Sequence, residues 1–304
     1  APAGFATSMV SEGESTNGCA VLEFPLPGLA NVMPIVTTSR GATPFIALAA
    51  LRGVDPSDIT SAGFTVMGKR GSLAPAVSAN YSMVGLESAG YVNRRESTLT
   101  IPVFGLYQSY SNPVVLSYTA KGVKRNLMVT IDTPAWNSDQ SRQFASLSRV
   151  VPRNADAHLD YGFIAMKYFA SANSPVVLDT DGEVRWIGPT LAASQPAYFD
   201  GKRFYVAVGS SLSRIEMDGR TAELASYSEY GVSGFHHNFD RGRDGILMQV
   251  DRGSHIESTV IEADWGGAVK HVWDLEQIVA DAMRAGGDDP SQFVRPGVDW
   301  LHTN

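Results

Sequence analysis

Pro175-Val176-Val177-Leu178-Asp179-Thr180-Asp181-Gly182-Glu183-Val184-Arg185-Trp186 reads as a strand, an Asp-Gly turn and a second strand ending on tryptophan. The unit returns as Leu212-Ser213-Arg214-Ile215-Glu216-Met217-Asp218-Gly219-Arg220. It returns again as Thr259-Val260-Ile261-Glu262-Ala263-Asp264-Trp265-Gly266-Gly267, running on to Val269-Lys270-His271-Val272-Trp273. A second turn class alternates with it. Phe199-Asp200-Gly201-Lys202-Arg203-Phe204 and Arg243-Asp244-Gly245-Ile246-Leu247-Met248 each set Asp-Gly before an apolar strand. Asp-Gly suits the type I′ turn, whose two central residues take positive φ. Interleaved at a period of roughly 40, the two classes match four-stranded propeller blades. A second β-sandwich with ordinary hairpins is the alternative.

Upstream the grammar differs. Ala20–Phe24, Met33–Thr37, Gly63–Met67, Ser97–Phe104 and Asn126–Ile131 have strand composition, and Gly68-Lys69-Arg70-Gly71 and Ala120-Lys121-Gly122-Val123 read as hairpin turns. Short strands at this spacing, without a long helical period, indicate a β-sandwich. Pro44–Leu51 fits a buried strand or a short helix equally well. The fold class is therefore all-β: an N-terminal β-sandwich followed by part of a β-propeller. Residues 1–18 read as a flexible arm, 19–133 as the sandwich, 134–152 as a linker and 153–304 as about three blades. Leu275–Arg284 reads as a short helical insertion between blades. An open arc of blades exposes edge strands, so a remaining propeller segment is expected as a partner for these residues.

Composition removes several classes of function. A hydrophobic fraction of 44% over 304 residues supports a sizeable core. A net charge of −7 argues against nucleic acid as a partner. The longest apolar stretch, Pro44–Leu51, is far shorter than the roughly 20 residues of a membrane helix, so no membrane partner is expected. Cys19 is the only cysteine, which rules out a disulfide within these residues. The opening Ala1-Pro2-Ala3-Gly4 reads as the trimmed start of an exported protein or as a fragment boundary.

Histidine is scarce, with six in all, and three of them sit in two aromatic-flanked motifs: Gly234-Phe235-His236-His237-Asn238 and Asp299-Trp300-Leu301-His302-Thr303-Asn304. Imidazole is the side chain best suited to transfer chemistry near neutral pH. The first motif precedes an Asp-Gly turn and is expected at the start of a strand, at one mouth of a propeller channel. A metal site could draw nitrogens from His236, His237 and His302, with Asp240 or Asp299 as carboxylate, but neighbours along a strand point in opposite directions. No Gly-x-Ser-x-Gly elbow lies near these residues, and no glycine loop matches a nucleotide fingerprint. No metal and no cofactor are expected.

Phe235-His236-His237-Asn238-Phe239-Asp240, Trp273-Asp274-Leu275 and above all the Asp299-Trp300-x-His302-x-Asn304 string resemble the bacterial arylsulfate sulfotransferases. The resemblance covers the region from about Asp156 to Asn304 well and the N-terminal domain loosely. It implies a sandwich joined to a six-bladed propeller, a homodimer, a periplasmic or secreted location, and sulfuryl transfer from an aryl sulfate donor to a phenol acceptor without a nucleotide cofactor. It implies catalytic roles for His237 and His302, with Asn304 adding a donor. His236, Trp300 and Phe235 are the further substrate-binding candidates, although packing is the plainer reading for both aromatics. In the family the histidine that becomes sulfated, and an arginine for the sulfuryl oxygens, follow this string. The residues given are thus expected to hold the supporting half of the site and to be inactive alone. A non-catalytic propeller binding module and a metal-dependent hydrolase are the rival readings.

Overall fold

The computed structural model describes residues 34–136, 150–154, 156, 159–166, 174–189 and 193–301, the side chains of 193–195 and His255 excepted. The arm, Cys19, residues 137–149 of the linker, His158, His302 and Asn304 lie outside them. The fold is all-β, with antiparallel sheets and, among the described residues, two short α-helices. The chain divides into two compact units, the first within Ala1–Asn137, Leu147–Ile164 and Val177–Trp186, the second within Ser138–Ser146, Ala165–Val176 and Ile187–Asn304.

The first unit holds β1 (Ile35–Arg40), β2 (Ile46–Arg52), β3 (Ile59–Val66), β4 (Val77–Ser82), α1 (Met83–Ser88), β5 (Val92–Asn93), β6 (Thr98–Phe104), β7 (Ser111–Ala120) and β8 (Val123–Asp132). They form two four-stranded sheets, ordered β1-β2-β6-β5 and β4-β3-β7-β8. Burial alternates along β7, where Asn112, Val114, Leu116 and Tyr118 turn inward, as the period of two requires. The sheets meet where Phe64 of β3 packs edge-on against Phe104 of β6, and Tyr81 donates to the Pro102 carbonyl at 2.6 Å. The ambiguous Pro44–Leu51 stretch resolves as β2, paired on both sides. Lys121 (φ 51°) and Gly122 (φ 77°) make the β7–β8 turn with both residues left-handed, the type I′ signature.

A three-stranded sheet follows, β9 (Phe163–Met166), β10 (Val176–Asp179) and β11 (Val184–Ile187), in the order β11-β10-β9. Within the first unit, Arg185 on β11 is 1% exposed. Its Nε and Nη2 donate to the Gly105 carbonyl at 3.0 and 2.8 Å, and Nη1 reaches the Tyr107 hydroxyl at 2.9 Å and Asp179 Oδ2 at 3.1 Å. Its guanidinium also stacks 3.8 Å from the Tyr107 ring centre. A buried charge persists only when paired and hydrogen-bonded in this way.

The second unit contains two four-stranded meanders. β12 (Ala193–Phe199), β13 (Arg203–Val208), β14 (Ser211–Glu216) and β15 (Thr221–Ser226) pair in sequence order, as do β16 (Val232–Arg241), β17 (Ile246–Arg252), β18 (His255–Ala263) and β19 (Val269–Asp274). Tyr205, Ala207 and Leu212 of the first share one core with Phe235, Phe239, Met248, Val250 and Ile261 of the second. Each large apolar side chain so buried contributes roughly 1.5–3 kcal/mol. α2 (Leu275–Gly286) follows β19, capped by Asp274 accepting from Gln277 N and ended by left-handed Gly287.

The repeated Asp-Gly turns are not type I′. Three share one geometry. Gly182, Gly219 and Gly267 (φ 78°, 87° and 92°) donate to the carbonyls of Asp179, Glu216 and Asp264 three residues back. Those same residues donate to the carbonyls of Glu183, Arg220 and Ala268. This is the three-residue hairpin loop, a type I turn closed by one left-handed glycine. The aspartates keep negative φ and serve as acceptors instead: Asp179 Oδ1 takes the Asp181 and Glu183 N–H groups, and Asp264 Oδ1 those of Gly266 and Ala268. Gly245 has no positive φ either. It is required because a Cβ there would collide with the Ala263 carbonyl.

Candidate functional site

β16 and β17 are in register at Phe235–Val250 and again at Phe239–Met248, so His236, His237 and Asn238 together oppose Gln249. The expected place at a strand start is therefore corrected to a bulge in mid-strand. His237 takes φ 44° there. The left-handed kink overrides strand alternation, and the two histidines that should diverge turn onto one partner.

That partner is Glu257, carried by a second irregularity on the other side of β17. β17 and β18 pair at Val250–Thr259 and at Arg252–His255, leaving Ile256, Glu257 and Ser258 opposite Asp251. Glu257 takes φ 55°. Two non-glycine residues in the left-handed region cost about 1–3 kcal/mol each, and such strain persists where surroundings over-determine it.

Glu257 Oε1 lies 2.9 Å from His236 Nδ1 and 2.9 Å from His237 Nε2, with its side chain only 2% exposed. Gln249 Nε2 donates to Oε2 at 3.3 Å. Asp251 closes the set: Oδ2 lies 2.7 Å from His236 Nε2, and Oδ1 accepts the Glu257 N–H at 2.8 Å. The histidine side chains remain about a third open, at 33% and 28%. The cluster is thus anchored from beneath by a buried carboxylate and open above. Among the described residues, Asn238 Oδ1 beside it is buried without a hydrogen-bond partner.

Of the carboxylates proposed from sequence, Asp240 and Asp299 are exposed on the surface, and Glu257 and Asp251 take that place. Neither carries a local signature, since both reach the histidines across strands. Phe235 is a core residue, 6% exposed and edge-on to Phe239. Trp300 is buried against Phe293, and its indole N–H has no hydrogen-bond partner among the described residues. His302 and Asn304 fall outside the described residues.

Chemically, two imidazoles on one buried carboxylate can donate hydrogen bonds to an anionic group, exchange protons with it, or ligate a cation. His236, His237 and Glu257 place one ligand atom each within 4.8 Å of one another, as do Asp244 before β17, Glu262 on β18 and His271 on β19.

A family model described as Arylsulfotransferase (ASST) matches residues 148–304, and one described as Arylsulfotransferase Ig-like domain matches residues 43–134. The chain belongs to the arylsulfotransferase family. The first match spans both histidine motifs. A curated arylsulfotransferase relative, arylsulfate sulfotransferase AssT of Lelliottia amnigena, is 25% identical over 309 residues, which cover 82% of this chain and 49% of the relative. The chain spans about half the length of that arylsulfotransferase. Among the described residues no helix is long and apolar enough to cross a membrane.

Proposed function

We propose that the chain forms part of an enzyme that transfers a sulfuryl group from an aryl sulfate ester to a phenolic acceptor, through a sulfated histidine and without a nucleotide. The observation that carries this reading is the family match over 148–304, within which His237 sits on the buried Glu257 with its side chain partly open. A sulfuryl group in transfer spreads negative charge over its oxygens, and preorganised N–H donors stabilise that charge. His237, His302 and the Asn304 amide are the proposed donors. A histidine near the bridging oxygen protonates the departing phenolate and takes the proton of the incoming phenol. The sulfated histidine is itself proposed to follow Asn304 in the chain. The two meanders are taken as blades of a six-bladed propeller, and the protein as an exported homodimer.

The test is to incubate the full-length protein with 4-nitrophenyl sulfate and digest it for peptide mapping. A sulfated histidine peptide that disappears on addition of phenol supports the reading; 4-nitrophenol release with no adduct argues for direct hydrolysis. The His236–His237–Glu257 cluster also favours a second reading, a metal-dependent hydrolase. In that case chelator abolishes 4-nitrophenol release and a stoichiometric ion is found, whereas transfer through histidine survives chelator.

A further inference from the structure

We propose that Asp244, Glu262 and His271 bind one divalent transition-metal ion of the zinc class, which clamps the β16–β17 turn to the edge strand β19. The site does not depend on the sulfuryl-transfer reading and shares no residue with the His236–His237–Glu257 group.

Strand register builds the group. Glu262 of β18 and His271 of β19 are direct cross-strand partners, so both side chains stand on one face of the sheet. Asp244, in the turn before β17, reaches the same place. Its N–H donates to Glu262 Oε1 at 2.7 Å, and its Oδ2 lies 3.6 Å from His271 Nε2. That second separation is too long for a hydrogen bond. It nearly matches the roughly 3.4 Å between two ligand atoms that each lie about 2.1 Å from a tetrahedral ion.

An independent observation is the uncompensated charge of Glu262. The residue is 3% exposed, yet among the described residues it pairs with no Lys or Arg, and its Oε2 accepts no hydrogen bond. Other buried carboxylates are matched: Asp179 faces Arg185, and Glu216 faces Arg203 and Arg214. A buried carboxylate without a counter-charge is costly, and a bound cation removes that cost. Glu262 is also held in place, since a Cβ on Gly242 would stand 2.3 Å from its Oε1 and the turn therefore lies directly on it. The Asp244 and His271 side chains, 46% and 52% exposed, leave an open side for entry of the ion and for water ligands. The imidazole selects a zinc-class ion over Mg²⁺ and Ca²⁺, which favour all-oxygen sets.

The experiment is competition for Zn²⁺ between a chromophoric chelator and the metal-stripped full-length protein, with melting curves of the same samples. Wild type is expected to bind Zn²⁺ and to melt at a higher temperature with the ion than without it. His271→Ala and Asp244→Asn change half-exposed side chains and keep the Asp244 N–H on Glu262, so both should fold. Each should weaken this Zn²⁺ site by at least roughly ten-fold, the lower end of the loss seen when even an outer partner of a ligand is removed. Each should also abolish the thermal shift that the site provides, whereas His237→Ala should retain both. No Zn²⁺ binding by wild type would overturn the proposal. So would Zn²⁺ binding that His237→Ala loses and His271→Ala keeps in full, or equal affinity for Ca²⁺ and Zn²⁺.

Discussion

Oε1 of Glu257 lies 2.9 Å from Nε2 of His237, a contact between two left-handed residues on strands that do not pair with each other. Glu257 lies in a β18 bulge, His237 in a β16 bulge, and β17 between them supplies Gln249 and Asp251. Regular strands could not form this group, because each irregularity breaks the alternation that would send one member to the opposite face.

His237→Ala should therefore lower sulfuryl transfer by about 10²–10³-fold, the range for loss of one preorganised donor to a developing anion. Folding should survive, since the removed ring is partly open to solvent. Steady-state kinetics with a circular dichroism melt of the same preparation separates the two effects.

Arg185→Ala acts on stability alone. It strands the fully buried Asp179 carboxylate and removes the donors on Gly105 and Tyr107. Breaking a buried pair from one side costs about 3–5 kcal/mol, so the denaturant midpoint of the first unit should fall sharply.

Asp181 sets an acid limit on the same unit. Burial by itself raises its pKa, but the Ser72 hydroxyl, the Leu73 and Ala74 N–H groups and the charge of Arg153 outweigh it and hold the carboxyl below its ordinary value. A depressed folded-state pKa stabilises the fold above the unfolded carboxyl value near 3.9, and that stability is lost as pH falls through the folded value. Asp181→Asn should flatten the decline of stability below about pH 4. Glu216 runs oppositely: burial raises its pKa against the nearby arginines, so its protonated form favours folding, and that contribution is lost as pH rises through the raised value. Melting temperatures across acid pH for Asp181→Asn and Glu216→Gln should slope in opposite senses relative to wild type.

The glycines of the turns should separate by mechanism. Gly182→Ala meets open space and costs only the left-handed backbone penalty, about 1 kcal/mol. Gly245→Ala drives a Cβ into the Ala263 carbonyl at the β17–β18 pairing and should cost more, on the order of 1–3 kcal/mol or above. Paired denaturation curves check the ranking.

These contrasts mark what the sequence could disclose. The turns at Asp179–Glu183, Glu216–Arg220 and Asp264–Ala268 were legible because aspartate and glycine act within a few residues of chain. Their type was not, since a two-residue and a three-residue loop differ only in which residues hydrogen-bond. β4 and β7 escaped notice because Ser, Asn and Pro dilute their alternation, and only pairing with β3 reveals it. α2 was legible as a short helical insertion, and the structure adds its Asp274 cap and the left-handed Gly287 that ends it. The histidine motif was visible, but its bulge was not: nothing in Phe235-His236-His237-Asn238-Phe239 states that three residues oppose one. Glu257 was invisible for the same reason, as its significance arises only across strands.

The central claim is that His237 handles a sulfuryl group. The most direct measurement is the rate of 4-nitrophenolate release from 4-nitrophenyl sulfate, with phenol as acceptor and chelator present, for the full-length protein and for His237→Ala. The account predicts phenol-dependent release by the wild type and a loss of about two orders of magnitude or more in the variant. Equal rates for the two proteins, or no release by either, would contradict it.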